Sequence, residues 1–343
     1  MGLSLCSKHI YPMKKVLLWG LLPLATAACT TSKHTSSAYS SSTQVEQKAP
    51  SWDGAYGGAD KSYDTELLTL REQIAPKFRT LTFADSITGK TMTYNLFIPT
   101  DYDPNKSYPL VLFMADGSTT GKGAMSPLKQ GYGGIIWATD ESQQENPCFV
   151  LVPAFAGPEN VTNDRSEVTD EAEMAMRLLQ HIVSTYAIDR NRLYTTGQSM
   201  GGMISFYFNS RYTQLFAASL FVGSQWDVNV LTPLAKQKFF YIVSAADPKA
   251  SKGMNQLGQM LAEQEAAYGE IQFSAQLPQA AQEEAVQRLI DQGYERNFVR
   301  FEPKTVVPRH KQSWQGGEHM YSFDYAYKLK AVRDWLFKQK LSQ

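Results

Sequence analysis

From Lys77 onward the chain alternates short apolar runs with longer amphipathic stretches. Phe78–Phe83 and Thr91–Ile98 alternate polar and apolar residues and are joined across Thr88-Gly89, which predicts an antiparallel hairpin. The next runs are apolar throughout: Leu110–Met114, Phe149–Val152, Leu193–Thr196, Ala217–Val222 and Phe239–Ser244. Strands with no polar face belong in a sheet covered on both sides. Helical spacing separates them. Tyr63–Ile74 predicts a short helix, and Glu167–Tyr186 puts Ala175, Leu179, Ile182 and Tyr186 on one face with Arg177, Gln180, His181 and Ser184 on another. Ser322–Gln339 predicts an aromatic-rich closing helix. The pattern is that of an α/β protein with a mostly parallel sheet, an N-terminal antiparallel hairpin and helices on both faces.

One stretch is longer than a single crossover needs. Between Asp247 and Phe298 two helical patterns, Met254–Tyr268 and Gln279–Gln292, flank Ile271–Ser274, and Asn297–Phe301 reads as the last parallel strand. The surplus predicts a helical insertion at about residues 253–295.

The first residues have a different character. Met13-Lys14-Lys15 precedes the apolar run Val16–Leu24, and Ala25–Ala28 supplies small residues for cleavage, which together read as a signal peptide over residues 1–28. A start at Met13 gives the tighter signal, and the run is too short for a mature membrane span. Thr26-Ala27-Ala28-Cys29 resembles the lipobox of bacterial lipoproteins, with Thr26 where leucine is usual, so Cys29 is the candidate lipidation site. The expectation is export to a bacterial cell envelope and a membrane anchor through that lipid. Residues 29–62 are rich in Ser and Thr and predict a flexible tether, leaving 63–343 as the catalytic domain.

Charge and cysteine content narrow the field. Lys plus Arg equals Asp plus Glu at 33 each, so no basic footprint for nucleic acid exists. Cys6 and Cys29 belong to the leader, and Cys148 alone in the folded part forms no intramolecular disulfide. Cys148 sits in an apolar run and reads as a buried small hydrophobe. The histidines are scattered and the cysteines lack ligand spacing, so no metal and no cofactor is expected.

Chemistry concentrates at Gly197-Gln198-Ser199-Met200-Gly201, between the run ending at Thr196 and a helix-like stretch from Gly202. A G-x-S-x-G between strand and helix is the nucleophile-elbow pattern: a sharp turn strains the serine backbone, and the flanking glycines let strand and helix approach. A serine hydroxyl is a poor nucleophile without a base, and the base needs an orienting acid. Beyond the tether the candidate bases are His181, His310 and His319. His181 falls late in a crossover helix, at the opposite edge of the sheet, on the polar side. Arg309 and Lys311 flank His310 and would disfavour an imidazolium. His319, in Gly316-Gly-Glu-His-Met320 just before the closing helix, fits the elbow's chain order of Ser, acid, His. Asp247 follows the run ending at Ser244 and is the favoured acid, with Asp227 the competitor.

A developing oxyanion needs two backbone N–H groups. Met200 supplies one, and Ala115–Thr119 supplies the other through Gly117 or Ser118.

With these residues placed, the chain resembles the α/β-hydrolase superfamily. More narrowly it looks like the esterase and peptidase branch related to polyhydroxybutyrate depolymerase-like, feruloyl and acetylxylan esterases. The supporting phrases are Ile188–Gly202, Phe216–Ser219, Glu318-His-Met and Ala331–Phe337. The resemblance implies a triad of Ser199, Asp247 and His319. It departs at Asp116-Gly117, where the family often has His-Gly, and a carboxylate there is tolerable only if it points away. The expected activity is cleavage of carboxylic esters, free or polysaccharide-linked, through an acyl-enzyme. A serine peptidase of this fold is the rival, although too little chain precedes Lys77 for a propeller domain. An inactive envelope-binding module is the third reading.

Overall fold

A computed structural model describes residues 51–311 and 316–341. The expected signal peptide, Cys29 and most of the expected tether lie outside the described residues. The alternating runs form nine strands: β1 Arg79–Ala84, β2 Thr91–Phe97, β3 Tyr108–Met114, β4 Phe149–Ala154, β5 Ile188–Gln198, β6 Ala218–Val222, β7 Phe239–Ser244, β8 Gly269–Phe273 and β9 Arg296–Phe301. They build one sheet in the order β1-β2-β4-β3-β5-β6-β7-β9-β8. β1 pairs antiparallel with β2, and β2 antiparallel with β4; every later pairing is parallel. The hairpin closes as its sequence dictates, with Ala84 opposite Thr91 and Gly89 at φ +70° in the turn. Asp85 beside that turn receives two hydrogen bonds from Arg177, at 2.6 and 2.7 Å, which pins the hairpin to the helix Asp170–Thr185.

Successive residues of β3 point to opposite faces. Leu110, Leu112 and Met114 join the core under the helix Asp170–Thr185. Val111 and Phe113 pack instead with Trp335, Leu336 and Phe337 of the C-terminal helix Lys330–Lys338. Each such side chain contributes roughly 1.5–3 kcal/mol by leaving water, and the double covering explains the unbroken apolar runs. Cys148 is fully buried, and burial pushes its thiol up to about 12.

Three expectations change. The segment 253–295 is no helical insertion: the helices Pro248–Glu263 and Gln279–Ile290 flank β8, which pairs parallel with β9 and extends the sheet to its edge. Ile271 and Phe273 were too short an apolar pattern to read as a strand without that partner. The closing helix is broken at Leu329 into Ser322–Lys328 and Lys330–Lys338. The break holds because Glu283, from a neighbouring helix, accepts from the Lys330 and Ala331 N–H groups at 2.8 Å each and satisfies first-turn donors.

The third change concerns residues 51–62, expected as tether. They are docked on the domain, with Ala59 4% and Lys61 2% exposed. The Ser/Thr-rich composition that suggested a tether belongs to the residues before them; here the backbone of Ser51, Gly58 and Asp60 and the Lys61 ammonium hydrogen-bond to the domain.

Candidate functional site

The elbow forms as its glycines demand. β5 ends at Gln198, the helix Met200–Arg211 begins immediately, and Ser199 between them sits at φ 50°, ψ −119°. That left-handed backbone costs on the order of 1–3 kcal/mol. A Cβ on Gly197 would lie 2.2 Å from the Gly201 carbonyl carbon, and one on Gly201 would lie 1.9 Å from the Met114 carbonyl oxygen. Neither position admits any side chain. The Ser199 N–H donates to the Val222 carbonyl at 3.0 Å, and its carbonyl accepts from Ser224 Oγ at 2.8 Å. The strained residue is thus held by the neighbouring strand end.

The structure brings the three expected residues together from three separate elements. His319 rides on a one-turn helix, Gly317–Met320, where the sequence suggested a loop. Its Nε2 lies 2.8 Å from Ser199 Oγ and its Nδ1 2.5 Å from Asp247 Oδ2. Asp247 is nearly inaccessible, and its second oxygen, Oδ1, accepts from the Lys249 and Ala250 N–H groups at 3.2 Å each, capping the helix Pro248–Glu263. A carboxylate fixed at one oxygen by a helix N-terminus presents the other in a set direction.

The competing candidates stand elsewhere. Asp227 caps a short 3-10 turn, its Oδ1 accepting from Asn229. His181 is exposed on its helix with its ring 5.5 Å from that of Phe83. The side chain of His310 lies outside the described residues.

On the oxyanion side one expectation is corrected. The Ser118 N–H donates to Asp116 Oδ1 at 2.8 Å and is engaged. The Met200 and Gly117 N–H groups have no acceptor among the described residues. Asp116 itself is 2% exposed. Its Oδ1 receives the Ser118 N–H and hydroxyl, and its Oδ2 receives Gln130 Nε2 at 2.6 Å and Gln198 Nε2 at 3.0 Å. Four donors occupy the carboxylate, which removes the concern raised by Asp116-Gly117.

With this geometry in place the comparisons take their meaning. The family described as "Putative esterase" matches residues 86–300, more than half of the chain. The chain belongs to the Esterase family. Among solved structures, a thermostable esterase superposes with a TM-score of 0.63 at 23% identity, over 78% of this chain and 64% of its own length. The chain therefore spans less than two thirds of that esterase. A ferulic acid esterase superposes with a TM-score of 0.50 at 13% identity, over 76% of this chain and 97% of its own. Both likenesses establish the α/β-hydrolase fold. No curated protein matches the chain in sequence.

In this Esterase-family chain Ser199 and His319 open onto a cleft of about 770 Å³, and Asp247 is buried behind the histidine. The cleft lining includes Met200, Met203 and Met320, together with Asn160, Asn163, Asp164 and Arg165 of the loop after β4. Residues 253–295 line none of it. Among the described residues no group of three or more His, Cys, Asp or Glu side chains could hold a metal ion.

Several supporting residues escaped the sequence reading. Gln198 is the variable position of the elbow motif, and Gln130 carries no local signal at all. Glu318 was visible only as the neighbour of His319. Its Oε2 accepts from Ser244 Oγ at 2.5 Å and its Oε1 from the Lys304 N–H at 2.7 Å, joining the ends of β7 and β9 to the histidine's helix.

Proposed function

We propose that the protein hydrolyses carboxylic esters through an acyl-enzyme on Ser199. The observation that carries this reading is the continuous chain Ser199 Oγ, His319 Nε2 and Nδ1, Asp247 Oδ2, at 2.8 and 2.5 Å. Ser199 Oγ attacks the ester carbonyl while His319 Nε2 takes its proton. Asp247 accepts from Nδ1–H, holding the tautomer and stabilising the imidazolium. The tetrahedral oxyanion receives the Met200 and Gly117 N–H groups. Collapse breaks the bond to the alcohol, which leaves with the proton from His319. Water, deprotonated by the same imidazole, then releases the acid and restores Ser199.

The reading extends to location and substrate. The leader over residues 1–28 and Cys29 support export and lipid anchoring at a bacterial envelope. The amides and charges of the loop after β4 suit a polar alcohol moiety, such as a polysaccharide bearing the acyl group.

The test is labelling by a fluorophosphonate together with hydrolysis of short-chain p-nitrophenyl esters. Wild-type protein is expected to do both and Ser199→Ala neither; labelling that survives in Ser199→Ala refutes the nucleophile. Cleavage of peptides without esters makes the protein a peptidase, and inertness in every assay makes it a binding module. Acetylated xylan and feruloyl esters, set against acyl chains of graded length, read the substrate. Cys29→Ala is expected to move the protein from the membrane fraction to the soluble one; unchanged fractionation counts against the anchor.

A further inference from the structure

We propose that residues 57–61, ahead of the sheet, are a strap that positions the oxyanion loop for the reaction, with Lys61 and the Ser118 hydroxyl as its positioning residues. The inference rests on the esterase reading given above and adds a function to a segment whose composition suggested only a tether.

The strap meets the oxyanion loop directly. The Gly58 N–H donates to Ser118 Oγ at 2.7 Å, and the Ser118 hydroxyl in turn donates to Asp116 Oδ1. Gly57, at φ +78°, runs so close to the loop that a Cβ there would lie 2.3 Å from the Ser118 carbonyl oxygen. The contact is therefore backbone against backbone, immediately after Gly117.

Lys61 makes the second attachment. Its Nζ donates to the Gln130 carbonyl at 2.8 Å and lies 2.6 Å from Asp324 Oδ2. Asp324 Oδ1 accepts from the Tyr132 N–H at 3.0 Å. Gly131 makes room for the pair, since a Cβ there would lie 2.5 Å from Asp324 Oδ1 and 2.7 Å from Lys61 Nζ. Gln130, held at its carbonyl by Lys61, donates through its side chain to Asp116 Oδ2. Both attachments of the strap thus converge on Asp116, the residue that fixes Gly117 and touches Gln198 beside Ser199.

The strap also reaches the histidine's side of the cleft. Tyr321, two residues beyond His319, donates its hydroxyl to the Asp60 carbonyl at 3.0 Å, and Asp324 stands on the next helix. A buried ion pair adds little net stability against an apolar alternative, but breaking one partner is costly. What Lys61 and Asp324 supply is fixed geometry. Oxyanion donors act only when held where the charge develops, and a displacement of about 1 Å can cost two orders of magnitude.

The experiment uses full-length Lys61→Met, Lys61→Arg and Ser118→Ala proteins, with kcat and KM measured on a p-nitrophenyl ester well below each melting temperature. Lys61→Met and Ser118→Ala are each expected to lower kcat about tenfold or more with KM within about twofold. Inhibition by a boronic acid, which mimics the tetrahedral state, should weaken in step with kcat. Lys61→Arg, keeping the charge and donors, is expected to recover most of the rate. The double variant Lys61→Met/Ser118→Ala should lose less than the product of the two single losses, because both act through Asp116. Should Lys61→Met fail to fold, Ser118→Ala decides. Folded Lys61→Met or Ser118→Ala protein with wild-type kcat, or with losses entirely in KM, overturns the strap's role while wild-type labelling by fluorophosphonate leaves the esterase reading intact. A wild-type protein that neither labels nor hydrolyses esters overturns both.

Discussion

The two sides of the cleft are built on different principles. Ser199 and Asp247 stand at or just beyond the ends of β5 and β7, so the parallel sheet itself sets their separation, and His319 needs only one helical turn to meet both. The oxyanion side shares that frame only at Met200, which follows Ser199 at the elbow. Gly117 leaves β3 on a short 3-10 turn and is held by Asp116, which depends on Gln130, Gln198 and Ser118 from three directions. One side is held by packing and strand register; the other is held by buried polar groups that must all be paired. Packing tolerates loss gradually, whereas a polar network that loses one member leaves the others desolvated and unpaired.

This difference orders the expected effects. Ser199→Ala should remove nearly all ester hydrolysis, about 10⁶-fold in kcat, by analogy with serine knock-outs in other triads, with the fold intact by circular dichroism. Asp247→Asn should cost about 10⁴-fold in kcat and little stability, because the asparagine keeps an oxygen for the helix cap; Asp247→Ala should lose about 1 kcal/mol more in denaturant unfolding. A stable Asp247→Ala protein would show that the carboxylate's capping and orienting duties are separable. Asp116→Ala tests the oxyanion side. It strands the Gln130 and Gln198 amides, and kcat should fall by about 10²-fold together with a loss of roughly 1–3 kcal/mol. Equal mildness at Asp116 and Glu318 would abolish the contrast between the two sides. Glu318→Gln, on the sheet-framed side, should lower kcat by less than about tenfold and stability by about 1 kcal/mol.

The smallest effect on the reaction is expected far from the cleft. Arg177 beside Asp85 holds that carboxyl well below the usual carboxylate range. Its stabilisation is complete above the unfolded carboxylate value of about 4 and is lost as pH falls below it towards the depressed folded value. Wild-type stability should therefore decline below about pH 4 through this pair, and Asp85→Asn should flatten that limb without changing kcat at neutral pH. A steep acid limb in Asp85→Asn would point to other carboxylates.

The sequence reading reached one side of the cleft and stopped at the other for the same reason. Apolar runs and the elbow glycines are local signals, so the sheet, Ser199 and the chain order through Asp247 to His319 could be read directly. The strand β8 was hidden because its apolar residues are few and only pairing with β9 makes them a strand. Gln130, Gln198 and Lys61 are ordinary polar letters whose roles come from partners far along the chain. Residues 51–62 show the limit most plainly: they adjoin a Ser/Thr-rich stretch and read as part of the same tether unless the buried donors and acceptors awaiting them are known. Ser118 failed as an oxyanion donor for a related reason, since nothing local reveals that Asp116 takes its N–H.

The Tyr321–Asp60 contact joins residues 261 positions apart, and that separation has a kinetic meaning. The elbow is made by near neighbours and can form as soon as β5, β6 and the helix after Ser199 meet. The strap is among the first described residues to be synthesised, yet its partners Tyr321 and Asp324 are among the last. Contacts of such long range close late in folding because the intervening chain must first be ordered. The elbow thus depends on local contacts, whereas the base and the braced oxyanion loop depend on the docking of the C-terminal helices.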